Sequence, residues 1–151
     1  MPTQIDNIKE AINTKLATAL TGYKRIPNPY SLPDASALIL KKGYGVVTGA
    51  ARNTLRYATC RLATWEREFI IGITRQVGKT ENDTEGREEI EIEILDAHRA
   101  VLQSFETDPT MSDLVIKAIV TGDSGLNYID GPTGKYMACE IVLAVEYEEQ
   151  F

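Results

Sequence analysis

EEIEIEILDAHRAVLQSF, residues 88–105, admits two readings, and the choice between them sets the fold class. Ile90, Ile92 and Ile94 alternate with glutamates as they would on a half-buried strand. Ile90, Ile94, Ala97, Val101 and Phe105 also recur at three- and four-residue spacings, and this second pattern spans far more of the segment. The longer pattern predicts a helix over residues 85–106. Asp108-Pro109 ends it, because proline lacks the amide proton that the next turn needs and restricts the residue before it.

Strands follow this helix. Residues 114–121, 126–129 and 136–147 are rich in β-branched and aromatic side chains, and Asp123-Ser124-Gly125 and Asp130-Gly131-Pro132 carry turn chemistry. In the last strand Met137, Cys139, Ile141, Leu143, Val145 and Tyr147 share one face. Upstream of the helix, residues 55–77 also alternate. Ala58, Cys60 and Leu62 fall on one face of a first strand, and Phe69, Ile71 and Ile73 on one face of a second. The charged run Trp65-Glu66-Arg67-Glu68 between them reads as the reversal, with a single bent strand as the alternative. Further upstream, residues 35–41 and 44–48 read as short strands around Lys42-Gly43, with Gly45 and Gly49 at bends or close backbone approaches. Pro27, Pro29 and Pro33 make an extended connector. Before it, Ile5, Ile8, Ile12, Leu16, Ala19 and Leu20 form one apolar stripe on a first helix, which Thr3 can cap and Gly22 can end. The expected fold is a single α+β domain over residues 1–151, with a mainly antiparallel sheet and two helices packed on one face.

Net charge is −6, but its distribution is the more informative quantity. Residues 1–80 hold twelve Lys/Arg against five Asp/Glu, and residues 81–151 hold four against seventeen. Either the two halves neutralise each other across one surface, or a basic face of one copy meets an acidic face of the next. The acidic total argues against a dedicated duplex-binding protein. No apolar run approaches the roughly 20 residues of a membrane span, and the start MPTQIDNIKE lacks signal-peptide order. No membrane role is expected, and the protein should stay in the cytoplasm where it is made. Cys60 and Cys139 both lie in apolar strand-like runs, where a buried thiol is the plain expectation.

Enzyme motifs surface and then fail. Gly72 followed by Gly78-Lys79-Thr80 resembles a phosphate loop, but five residues separate the glycines where the amide cradle requires four. Gly122-Asp123-Ser124-Gly125 matches the tetrapeptide around the chymotrypsin-like nucleophile, yet Leu126 stands where that family has glycine. The only histidine, His98, falls beside the apolar stripe of the second helix. One histidine and two distant cysteines do not make a zinc site, and the carboxylates lack calcium-loop order. No enzyme activity, cofactor or metal is expected. Glu85, Glu89, Glu93 and Asp96 form a row of like charge on the second helix, repelling by about 0.2–0.5 kcal/mol per pair. The row borders solvent, a basic neighbour, or a channel through which DNA slides. The polar stretch 77–87 should project toward solvent or a partner. Its Lys79, Glu81, Asp83 and Arg87, with Arg61, Arg67 and Arg75, are the candidate contacts to other subunits or to a further assembly partner.

The amphipathic start over residues 5–20, EREFIIGITRQV with its polar extension, SFETDPTMSDLVIKAIVTGDSGLNYIDG and KYMACEIVLAVEYEE together resemble the tail terminator, or tail completion, proteins of long-tailed bacteriophages. The resemblance covers most of the chain in the family's order of elements, without an invariant signature. It implies a homohexameric ring on the last ring of the tail tube protein at the tail–neck junction of the virion. Such a ring halts tube growth, presents a surface to a head-side connector protein and passes DNA through its lumen without specific binding. A head-to-tail adaptor or stopper of the neck shares this logic, and a small ligand-binding domain of similar architecture is the reading from a different class.

Overall fold

The computed structural model describes residues 4–26, 42–57, 62–78, 87–131 and 134–150. Helix α1, Gln4–Ala19, buries Ile8, Ile12 and Leu16, as the three- and four-residue spacing dictates. Gly22 follows with φ +86°, a left-handed conformation that glycine adopts without the steric cost of a Cβ. The chain then runs straight into strand β1, Lys24–Arg25. The predicted cap Thr3, the connector prolines and the predicted strand over residues 35–41 lie outside the described residues.

Four long strands follow in two hairpins separated by a helix. They are β2, Lys42–Tyr57; β3, Leu62–Gly78; β4, Lys117–Gly131; and β5, Gly134–Gln150. Helix α2, Arg87–Thr107, lies between β3 and β4 in the chain. The sheet order is β1-β2-β3-β5-β4. All long neighbours are antiparallel, but β1 pairs parallel to β2 through Lys24 with Gly43 and Arg25 with Tyr44. The sheet is therefore mixed: mainly antiparallel, as expected, with one parallel pairing added at its edge. A two-residue strand is too short to show any alternation in sequence.

Register places Val46, Ile71 and Ile141 side by side, and Phe69 beside Leu143, on one face of the sheet. That face forms one core with Ile8, Ile12 and Leu16 of α1 and Ile94, Ala97, Val101 and Phe105 of α2. Both helices thus pack on the same side of the sheet. Lys15 ties them together: its ammonium donates to the Ser104 carbonyl and pairs with Asp108 at 3.1 Å, just past the C-terminal end of α2. A cation is favoured there by the helix dipole.

Two turn expectations are corrected. Trp65-Glu66-Arg67-Glu68 is the interior of one continuous strand β3, as the single-strand alternative had it: Trp65, Glu66 and Arg67 pair on both sides and Glu68 with β5 alone, while the predicted first-strand residues Ala58 and Cys60 lie outside the described residues. The charges of the run are accommodated because Glu66 meets Arg52 at 3.2 Å and Arg67 donates to the Gly49 carbonyl at 3.0 Å. Asp123-Ser124-Gly125 is a bulge inside β4, not a turn between strands. The Asp123 carboxylate accepts the Gly125 amide at 2.7 Å and Gly125 takes φ +73°, so local turn chemistry is present, yet pairing resumes at Leu126 with Cys139. The strand predicted from residue 114 begins at Lys117, after a turn in which Met111, Ser112 and Asp113 take φ of 46°, 57° and 66°.

Candidate subunit interface

Helix α2 packs across β3, β5 and β4, and one side of it overlooks the terminal strand β4. The two run antiparallel, since His98 sits 3.3 Å from Asp123 while Phe105 lies near Ala118 at the other end. The imidazole is placed for an ion pair rather than a well-aligned hydrogen bond, as its Nε2 has no partner of acceptable geometry. Between the C-terminal half of α2 and the start of β4 lies an open groove of about 290 Å³, lined by Leu102, Phe105, Glu106, Pro109, Ile119 and Val120. The left-handed turn closes its end. Asp108 accepts the Ser112 amide, the Thr110 hydroxyl accepts the Asp113 amide, and the Pro109 carbonyl accepts the Ala118 amide. The Ser112 amide foremost, and then Lys15, hold the Asp108 carboxyl below its ordinary value.

The exposed large apolar side chains among the described residues are Ile92, Leu95, Ile116, Ile119 and Tyr128. All five belong to α2, β4 or the segment joining them. On α2 they form an outward stripe with Leu102, running Glu88, Ile92, Leu95, Arg99, Leu102, Glu106 at three- and four-residue steps. Exposed apolar residues gathered beside a groove and rimmed by charge mark an interaction surface more often than isolated ones do.

Strand order turns the charge split of the sequence into a spatial one. Strands β1 and β2, at one end of the sheet, carry five Lys/Arg and no Asp/Glu, whereas β5 and β4, at the other, carry two against six, and α2, packed over β3, β5 and β4, carries two against six. On the basic edge Lys24 and Arg25 are exposed. Arg25 meets Glu10 at 3.4 Å in a solvent-exposed pair of little energetic weight.

The residues singled out from sequence separate into three groups. Arg61, Lys79, Glu81, Asp83 and Glu85 lie outside the described residues, and of Arg87 only the backbone at the start of α2 is described. Arg67 and Arg75 are engaged within the chain: Arg67 with Gly49 and with the Tyr147 hydroxyl at 3.4 Å, Arg75 with Glu93 at 2.7 Å. Glu93 reaches β3 through that pair yet stays exposed, as Glu89 and Asp96 are. The groove and the apolar stripe were not anticipated. Ile92 carried the signal, since it fits the short alternation yet falls off the core stripe of the helix.

His98, Asp123 and Ser124 lie near one another, but their bonding is structural. The Ser124 hydroxyl accepts the Glu140 amide at 3.0 Å and donates to the Gly125 carbonyl. Cys139 is buried, and desolvation foremost, with Asp123 and Glu140 nearby, pushes its thiol up to about 11. No grouping of His, Cys, Asp and Glu that could hold a metal ion occurs among the described residues. No described helix is long and apolar enough to cross a membrane.

No family model matches the chain, and no curated protein sequence does. Solved structures share its fold. One is a chain in the virion of a native gene transfer agent particle, at a TM-score of 0.50 and 9% identity, with 94% of this chain and 95% of that chain covered. At that identity the likeness is one of fold.

Proposed function

We propose that this chain is a non-catalytic structural subunit of a phage-like virion that forms a homohexameric ring on the end of the tail tube. The ring stops tube elongation and offers its free surface to a head-side connector protein, with DNA passing through the lumen unbound. The observation that carries this reading is the opposed charge of the two sheet edges. A subunit with unlike, complementary edges associates head to tail, and a head-to-tail contact closes into a ring when its rotation allows. The fold shared with a chain of the gene transfer agent virion, over nearly the whole of both chains, supports a place in a particle of that kind. The sequence resemblance to tail terminators supplies the specific station at the tail–neck junction.

Native mass spectrometry and negative-stain microscopy of the purified protein, alone and with polymerised tail tubes, test this. Six-membered rings that cap tube ends and block further growth are expected. A stable dimer, or tubes that elongate unhindered in its presence, would refute it.

A further inference from the structure

Resting on that reading, we propose that the ring is closed by the α2–β4 groove of one copy receiving the β1–β2 edge of the next, a second copy of this same chain. Three observations converge on this contact. The groove and the exposed apolar stripe lie on the acidic edge, where Glu88, Glu91 and Glu106 stand beside Leu95 and Leu102. The excess of cations lies at the opposite edge of the sheet, where Lys24 and Arg25 are exposed on the outermost strand. Arg99 and Lys117 also occupy the acidic side, but the balance of its elements remains strongly negative. Finally, β4 is the terminal strand, and its outer edge pairs with no strand among the described residues. Bulges at 120–122 and 123–126 keep that edge from templating a continuous ladder. The contact is therefore made by side chains, an apolar centre within an oppositely charged rim, which is the usual anatomy of a specific interface. Because the two surfaces differ and sit at opposite ends of the sheet, the contact is heterologous and each copy keeps one of each free for its neighbours.

Charge exchange tests the assignment on the full chain. One variant carries Glu91→Lys and Glu106→Lys, the other Lys24→Glu and Arg25→Glu, and circular dichroism establishes that each is folded. Each alone sets like charge against like at every contact and should lose the ring. An equimolar mixture restores opposite charges at both kinds of contact, and native mass spectrometry should show rings alternating the two chains in equal number. Leu95→Gln, at an exposed position, probes the apolar centre independently and should also lose the ring. Wild-type rings together with intact rings from either charge variant, or a folded pair that fails to co-assemble, would overturn the interface while leaving the ring standing. Rings that survive while tube capping fails would give the groove to the tube protein, overturning the proposal equally. Absence of rings from the wild-type chain would overturn the ring reading itself.

Discussion

Lys15 holds three groups at once: the Ser104 carbonyl, the Asp108 carboxylate, and the face of Phe105 with its ammonium 5.6 Å from the ring centre. Asp108 in turn receives the Ser112 amide, so one exposed carboxylate organises the turn that closes the groove. These donors depress its pKa below the unfolded value, so its stabilisation is complete above the ordinary carboxylate range and is lost as pH falls through the depressed value. Asp108→Asn should lower Tm at neutral pH, with the gap to wild type closing in acid. A gap of constant size in Tm measured against pH would count against this account. In the same turn Ser112 adopts φ 57° with an exposed side chain. Ser112→Gly should therefore stabilise the fold by about 0.5–1 kcal/mol in urea unfolding, relief of left-handed strain exceeding the added chain entropy. Cys139, buried and with its thiol pushed up to about 11, should resist alkylation at mildly alkaline pH in the folded chain and react once denatured, as peptide mass mapping would show.

At the scale of elements, the β2–β3 hairpin depends on a close backbone approach. A Cβ at Gly49 would stand 2.8 Å from the Glu68 carbonyl oxygen, beside the irregularity between Thr48 and Ala51. Backbone cannot swing aside as a side chain can, so Gly49→Ala should cost about 1–3 kcal/mol in urea unfolding. A neutral substitution would mean that the bulge can slide. The sequence singled out this glycine because it interrupts an apolar run, and α1, α2 and β5 were legible because each carries many turns or alternations of one period. What escaped was non-local. Trp65–Glu68 looks like a turn until Arg52, Gly49 and Tyr147 supply partners for its charges from other strands. Asp123-Ser124-Gly125 has the hydrogen bonds of a turn, and only pairing with β5 on both sides makes it a bulge. β1 is too short to leave any pattern. The candidate surface was half legible: the charge split could be counted, but only strand order shows that the two signs sit at opposite edges, and Ile92 pointed outward without revealing what lies beside it.

For the whole molecule, the separation of charge across the sheet predicts how assembly responds to salt. Charges at the rim of a contact act through water and are screened over a distance that shrinks from about 10 Å at 0.1 M to about 3 Å at 1 M ionic strength. Burial of Leu95, Leu102 and Ile119 in the same contact is not screened, and salting-out ions strengthen it. The ring should therefore weaken as sodium chloride rises across this range while retaining a residual, salt-insensitive association. Leu95→Gln, which already loses the ring at low salt, should also lack that residual association and stay unassembled across the whole range. The two reversed-charge variants should behave oppositely to wild type, their self-association rising with salt as repulsion is screened. Sedimentation velocity across the series reads all four chains at once. Ring formation by the wild type that is indifferent to salt, with no gain in the charge-reversed chains, would mean that the opposed edges merely face solvent and that association is driven elsewhere on the subunit.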